Sequence, residues 1–598
     1  MLFEMEREFV EWNNSLAQST TDSQDLNTDI RYSKTRTNKQ PDIFTYTSVL
    51  SAYAKSGMPD AAEKALGLIR RMERFSDERP NAAFFNTFIN LLSKTAAAVS
   101  TTRSTKNSVP EQVAVAESIF AYMKHNFNET GNKDMRPCRI TYTALISVYA
   151  THFYRQKDVV KRTDELLNEL LELYDETELD AYLPNAKTFG AVLSVWAKAA
   201  STRTGTTDDE ASSVNWFLRS ESLLKRMELL YLRTGCEQLK PTSILFSQIF
   251  RILANGRDPN AARHGMKLMK RMKKMTSEKE SDGYGQNVYL DATMYAYLIV
   301  TFTKSKVDNG VELATRILEE VEEGYKAGMG NLKPTSLLYS AVLQAYAKSA
   351  SAEGAAKAEN LLQRTKQMYR EGKMYAKPTV LFYNSVIDAY ARSYGGRKAA
   401  ERAEALLAEM EQRGSAGDSE LGLTTRSFNA AILAWKNSNV PEAPERAEKL
   451  LKRMNEKYKA GDEQCRPDRV TINSIIGVWA KSSQERAASR AEEWLVFLEK
   501  LDKPDLFSYN SVIDAYSRSA LPDATAKAQA LYERMTVLYE AGESDLKPDL
   551  ITLTCLRKTW MKSNDVEGQR QVGKLILKEV ERQHMAKRAA SNDLQQIP

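Results

Sequence analysis

The chain is poor in the residues from which most enzymes assemble a reactive centre. Four histidines (His125, His152, His264, His584) and four cysteines (Cys138, Cys236, Cys465, Cys555) are scattered over 598 residues. No Cys-x-x-Cys occurs, which excludes a thiol-rich zinc site, and the wide spacing excludes a disulfide framework. Metal-hydrolase and zinc-deaminase sites need closely spaced His or Cys ligands, and none are present. No apolar run approaches the ~18 residues that a membrane helix needs. No glycine-rich phosphate loop appears, and Gly395-Gly396 reads as a turn between helices. An excess of one charge is also missing: 84 basic against 78 acidic residues give a net charge of +6. That sum is too small to name a polyanionic partner, so its distribution has to decide. The first residues, Met1-Leu2-Phe3-Glu4-Met5-Glu6-Arg7-Glu8, have neither the basic start of a secretory signal nor the acid-poor composition of a transit peptide.

Apolar side chains are abundant. A hydrophobic fraction of 42% with only 43 proline and glycine residues together excludes a chain disordered throughout, or a collagen-like one. Length alone suggests about four ordinary domains. An internal repeat overrides that expectation. Clear copies are PDIFTYTSVLSAYAKS at 41–56, PTVLFYNSVIDAYARS at 378–393, PDRVTINSIIGVWAKS at 467–482 and PDLFSYNSVIDAYSRS at 504–519. The anchor apolar residue recurs at Tyr46, Phe85, Tyr142, Phe189, Phe246, Tyr295, Tyr339, Tyr383, Phe428, Ile472, Tyr509 and Leu553, at spacings of 37 to 57 residues. Twelve such units predict an all-α fold: an α-solenoid superhelix of about twelve helix-turn-helix repeats, each touching mainly its neighbours.

Each unit reads as two helices. The first is expected to start just after a proline, with its apolar stripe at the anchor and three, four and seven residues later, as in Tyr383, Val386, Ile387 and Tyr390. The slot seven after the anchor is aromatic in ten of twelve units. The second helix follows Ala-Glu-x-Leu-Leu-x-x-Met, as in Ala403–Met410 and Ala447–Met454, and runs on to a Gly terminator such as Gly461. Polar stretches at 95–110, 201–213 and 276–287 are expected to be mobile surface insertions. Leu2, Met5 and Phe9 have the spacing of a second helix. Residues 1–40 are therefore expected to be part of a preceding repeat plus a polar linker, 41–585 the repeat array, and 586–598 a polar tail. A chain that starts mid-repeat is expected to lack its natural beginning, with any targeting segment upstream.

The string Pro-Asp-x-x-x-Tyr-Asn-x-x-Ile-x-x-Tyr-x-[Lys/Arg]-Ser resembles the pentatricopeptide repeat, the RNA-reading α-solenoid, over about residues 41–585. The long units resemble those of algal members and of the repeat region of protein-only RNase P. The tetratricopeptide repeat, also a helical pair, fits less well: its Trp-x2-Leu-Gly-x2-Tyr pattern is absent, and proline precedes the first helix instead of closing the second.

Three slots of the first helix fall on one side of it. Two before the anchor stand Phe44, Ile140, Ile244, Leu337, Leu381, Val470, Phe507 and Ile551. Such residues from successive units can sandwich a flat base, or can simply pack repeat against repeat. Nine after the anchor stand Lys55, Lys94, Lys198, Lys304, Lys348, Arg392, Lys481, Arg518 and Lys562, with Thr151, Asn255 and Asn437 as exceptions. One cation per repeat matches a strand's phosphates, and equally suits a helix C-terminus. The slot after the anchor is polar or small. The resemblance implies that this residue and the one following the next unit's proline read one base edge together. By resemblance, Asn429 with Asp468, Asn473 with Asp505, and Asn510 with Asp549 are uridine-type. Thr47 with Asn81 and Thr143 with Asn185 are adenosine-type, and Ser247 with Asp291 is guanosine-type. Asn384 with Thr424 and Ser340 with Thr379 are ambiguous, and Asn86–Cys138, Gly190–Thr242 and Ala296–Thr335 depart from the familiar pairs. Plain helix-capping polar residues remain the alternative for this slot.

Catalysis finds no support in the sequence. The deaminase of some relatives needs His-x-Glu and Cys-x-x-Cys, and their nuclease needs an aspartate cluster in an α/β domain; neither is present. Glu319-Glu320-Val321-Glu322-Glu323 reads as a solvated helix face. The expectation is a sequence-selective single-stranded RNA-binding protein without cofactor, metal, membrane or small-molecule substrate. By resemblance it acts on mitochondrial or plastid transcripts in stabilisation, processing, splicing or translation, with a recruited RNA-processing enzyme or the ribosome as second partner. The alternative is a protein-binding α-solenoid scaffold of the tetratricopeptide kind.

Overall fold

The computed structural model describes residues 43–577 apart from a few stretches, the longest being 95–110, 202–214 and 278–287. The partial repeat expected at 1–40, the tail at 586–598 and most of the three polar insertions lie outside the described residues. Thr276 and Ser277, expected in the third insertion, instead close a helix.

All described regular structure is helical. The chain divides between Leu290 and Asp291 into two compact units. The first carries α1 (Ile43–Ser56), α2 (Ala61–Phe75), α3 (Ala82–Lys94), α4 (Glu111–Thr130), α5 (Arg139–Thr151), α6 (Asp158–Thr177), α7 (Ala186–Ala199), α8 (Trp216–Thr234), α9 (Ser243–Asn255) and α10 (Ala261–Ser277). The second carries α11 (Ala292–Lys304), α12 (Gly310–Lys326), α13 (Ser336–Lys348), α14 (Ala352–Arg370), α15 (Val380–Arg392), α16 (Gly396–Ser415), α17 (Thr425–Ser438), α18 (Ala443–Lys459), α19 (Arg469–Lys481), α20 (Ala487–Leu501), α21 (Leu506–Arg518), α22 (Ala524–Glu540) and α23 (Leu550–Lys562). Odd numbers are first helices and even numbers second helices. Within each unit every first helix packs on the next first helix and on the second helices beside it, the stacked-hairpin plan of an α-solenoid.

The sequence explains each hairpin. All twelve anchors are buried, and so are most of their partners three and four residues on, such as Val386 and Ile387. Burying one such side chain contributes about 2–3 kcal/mol before entropy is counted. The first helix begins one residue later than the proline alone suggests. The residue after the proline is extended and forms the N-cap: Asn185, Asp468 and Asp505 accept backbone N–H bonds from the first turn. The second helices are mostly longer. α18, with 17 residues, is about 26 Å long. It ends at Ala460, and Gly461 follows with φ +99, a left-handed conformation that glycine adopts at no steric cost.

The aromatic slot seven after the anchor has a second duty that its apolar character conceals. In the second unit Trp435 Nε1 donates to Glu404 at 3.0 Å, Trp479 Nε1 to Glu448 at 2.9 Å and Tyr516 Oη to Glu492 at 2.5 Å. In the first unit Tyr149 Oη donates to Glu117 at 2.6 Å and Trp196 Nε1 to Asp164 at 3.2 Å. Each carboxylate belongs to the preceding second helix and is also paired with a base from the following one: Arg446, Arg490, Lys527, Arg162 and Arg219. Several of these cations lie over the same rings, Arg219 at 4.6 Å from Trp196 and Arg446 at 5.5 Å from Trp435. At these junctions three helices from two repeats thus meet at one carboxylate, which joins one hairpin to the next.

Candidate nucleic-acid interface

The residues two before the anchor sit in the first turn of the first helices. Their side chains leave the buried stripe and face solvent. Phe44 is 77% exposed, Ile244 70%, Ile551 61%, Ile140 58%, Val470 57%, Phe507 50% and Leu337 38%; Leu381 is half-buried. Most of this surface is open, although Phe507 also meets the Lys436 ammonium of an earlier repeat. In seven of the twelve units a single exposed apolar side chain is thus available to a flat partner, whereas Ala83, Lys187, Thr293 and Arg426 stand in this slot elsewhere.

The polar slot and the residue after the next proline come together in the last three pairs. Asn429 Nδ2 donates to Asp468 Oδ1 at 3.3 Å, Asn473 Nδ2 to Asp505 Oδ1 at 3.1 Å, and Asn510 Nδ2 to Asp549 Oδ1 at 3.2 Å. These aspartates are also the N-caps of α19, α21 and α23. The same Oδ1 accepts the N–H of Thr471, Ser508 or Thr552 at 2.8 to 3.0 Å. Capping and pairing are one arrangement, because the cap fixes the carboxylate on which the asparagine then aligns. The signal was in the sequence: Asp-x-x-[Thr/Ser] after the proline is a capping-box pattern.

The other pairs differ. Thr143 reaches Asn185 only through the Thr188 hydroxyl, 2.7 Å from Thr143 Oγ1 and 3.2 Å from Asn185 Oδ1. Thr47 returns its hydroxyl hydrogen to the Ile43 carbonyl, while Asn81 caps α3 at Phe84 N. Ser340 likewise bonds back to Ser336. Asn384 is 3% exposed, and Thr424 caps α17. Asn86 Nδ2 lies 3.9 Å from Cys138 Sγ. Ser247 and Asp291 belong to different units.

The slot nine after the anchor lies at the C-terminal end of the first helices. Lys55, Lys94, Lys304, Lys348, Arg392, Lys481, Arg518 and Lys562 are exposed and Lys198 is half-buried. Several reach back to a carbonyl at the end of the preceding first helix or just beyond it. Lys198 Nζ is 3.2 Å from the Thr151 carbonyl, Arg518 Nη1 3.5 Å from that of Ala480 and Lys562 Nζ 3.4 Å from that of Ser519. The uncharged exceptions do the same: Thr151 bonds to Ser93 O, Asn255 to Ala197 O and Asn437 to Ala391 O. Closing the neighbour's open carbonyls is thus a shared duty of this slot, and the positive charge is an addition to it.

In the second unit those charges influence one another along the stack. Partial burial lowers the pKa of Lys198, Lys304, Lys348 and Lys481, and the next cation along lowers it further: Arg251, Lys348, Arg392 and Arg518 respectively. Repelling neighbours at regular intervals gain from a polyanion that screens them. Lys436, beside the exception Asn437, is lowered by burial and by Lys481, and its ammonium lies 5.0 Å from the centre of the Phe507 ring. Gly477 makes room for it, since a Cβ there would lie 2.5 Å from Lys436 Nζ.

Among the described residues no cluster of three His, Cys, Asp or Glu side chains is placed to hold a metal ion, and no helix is long and apolar enough to cross a membrane. Residues 44–75, the hairpin of α1 and α2, match the PPR repeat family. No curated protein matches the chain.

Proposed function

We propose that the chain, whose residues 44–75 match the PPR repeat family, is a pentatricopeptide repeat protein, of a class whose members in general bind RNA, and that it binds single-stranded RNA along its first helices, with sequence selectivity and without catalysis of its own. The observation that carries this reading is the coincidence at α19, α21 and α23 of an exposed apolar side chain with an Asn–Asp pair. A base between Val470 and Phe507 would stack on apolar surface and meet the Asn473–Asp505 pair at its edge. A base between Phe507 and Ile551 would meet Asn510–Asp549. The cations nine after the anchors would take the phosphates. The Asn–Asp pairs are assigned to a uridine tract, and Thr47–Asn81 and Thr143–Asn185 to adenosines. We place the target among mitochondrial or plastid transcripts, where occupancy of a site would stabilise, process or help translate the RNA, through a recruited enzyme or the ribosome. That placement rests on the resemblance of the repeats.

The test is retention of a random single-stranded RNA pool by the purified chain, followed by sequencing. An enriched motif with a uridine run is the expected result. Retention without a motif would overturn the base assignments, and no retention at moderate salt would favour a protein partner on the same surface.

A further inference from the structure

The second helices present an outward stripe whose members are alternately four and three residues apart. In α18 it is Glu445, Lys449, Lys452, Glu456 and Lys459, all charged and exposed. In α8 it is Leu218, Ser222, Lys225, Leu229 and Leu232, and each of the three leucines is more than half exposed. Alternating steps of four and three are the seam spacing of two helices that pack on each other.

α8 lies between α6 and α10. On one side Arg226 Nη1 donates to Asn168 at 3.0 Å and Arg233 Nη1 to Asp175 at 2.7 Å. On the other, Arg271 donates to Glu228 at 2.5 Å, Lys267 lies 3.7 Å from Glu221, and His264 stacks on Phe217 with ring centres 4.3 Å apart. Both sets of pairs advance together, so the three helices run side by side in one direction. α6 holds seven acidic against two basic residues; α10 holds six Lys and Arg and no acid. The exposed stripes follow suit: Lys161, Glu165, Asn168, Glu172 and Asp175 on α6, and Arg263, Lys267, Lys270 and Lys274 on α10. Across three neighbouring helices the face therefore reads acid, leucine, base.

We propose that this face is a self-association surface: two copies of the chain meet leucine ridge to leucine ridge about a two-fold axis parallel to α8. Such an axis exchanges the flanks, so that α6 of each copy lies over α10 of the other. Glu165 then faces Lys267 of the second copy and Glu172 faces its Lys274. Leu218, Leu229 and Leu232 each meet their own counterpart. Lys225 does too, and its stem can lie on the leucines while its ammonium turns to water. Lys161 and Arg263 oppose each other only at the first turn. An anionic lipid surface or a nucleic acid would gain at α10 and be repelled at α6, and a two-fold axis across the ridge would set acid on acid. The chain itself carries the complementary order. Three helices, the central one of 19 residues, offer a face of ~28 by ~25 Å, or ~700 Å² per copy, close to the ~800 Å² of a stable interface. The expected Kd is about 1–10 μM. The surface uses second helices only and does not rest on the RNA reading.

Sedimentation velocity of the RNA-free full chain, below and above that Kd, tests the proposal. The natural chain is expected to pass from monomer to dimer. L229D and L232D should each weaken the dimer at least ~tenfold at unchanged melting temperature, because both leucines are exposed in the single copy. Charge reversal tests the axis. K267E/K274E puts acid on both flanks and E165K/E172K puts base on both, so each is expected to remain a monomer alone. Mixed, they are expected to form a dimer with one copy of each, because both flanks then match. A natural chain that stays monomeric, a dimer that L229D leaves intact, or reversed variants that fail to pair when mixed would each overturn the inference. Should E165K/E172K fail to fold, L229D and K267E/K274E still decide. A monomeric natural chain retained through these residues by phosphatidylserine vesicles, or by an acidic amphipathic peptide, would give the face to that partner and overturn self-association.

Discussion

Trp479 and Glu448 lie in different repeats, and the indole N–H of one donates to the carboxylate of the other at 2.9 Å. Glu448 Oε1 also accepts from Arg490 at 2.7 Å and from Trp494 Nε1 at 2.8 Å. One oxygen therefore ties α18, α19 and α20 together. Glu448→Ala leaves two indole donors and a guanidinium without their shared acceptor. Because the site is partly open to water, the expected loss is about 2 kcal/mol rather than that of a fully buried charge. In a solenoid it should stay local. Hydrogen exchange should quicken in α18–α20 and not at α11–α13; uniform quickening would contradict nearest-neighbour stacking.

Salt should control affinity. If all nine slot residues meet phosphates, log K should fall with log salt at a slope near −6, and each replacement such as Lys348→Ala should make it shallower by about 0.7. Binding isotherms at several potassium concentrations read this directly. A flat dependence would assign these cations to carbonyl capping alone.

Asn473→Thr with Asp505 retained is expected to move one preferred base from uridine toward guanosine, because the pair then matches the hydroxyl–carboxylate type of Ser247 and Asp291. Sequencing of the retained RNA decides it, and an unchanged motif would show that the pair does not read that nucleotide.

Acid should loosen the second unit at an identifiable carboxylate. Burial alone would raise the pKa of Glu409, yet hydrogen bonds from Lys366 at 2.6 Å and Tyr383 at 2.8 Å bring it below the ordinary glutamate value. A folded pKa below the unfolded one means stability that is present above the unfolded value and lost as pH falls through the folded one. Melting temperature should therefore drop as pH falls below about 4.5. Glu409→Gln, which no longer titrates, should be less stable at neutral pH but show a shallower acid limb. An identical acid limb in both proteins would remove Glu409 from the account.

Much of this was legible because it is local. The 3.6-residue stripe set the helices, and the proline, the aspartate and the hydroxyl three residues on set their starts; Pro467, Asp468 and Thr471 are an example. Two readings needed the coordinates. The apolar residues two before the anchor suited packing and stacking equally, and their exposure, as at Phe507 and Ile551, is visible only in the structure. The cations nine after the anchor were read for their charge alone. That they also close a carbonyl of the repeat before, as Arg518 does with that of Ala480, depends on how the helices stack.

The sequence by itself determined the unit, its number and the face that each first helix offers, because periodicity and capping act within a few residues of chain. Only the tertiary structure decided which distant groups share a hydrogen: Asn510 with Asp549, 39 residues on, and Asn473 with both Asp505 and Ser508. Hydrogen bonds form over about 3 Å. Which side chains come within that reach is set by the stacking of one hairpin on the next, and no single hairpin's sequence contains it.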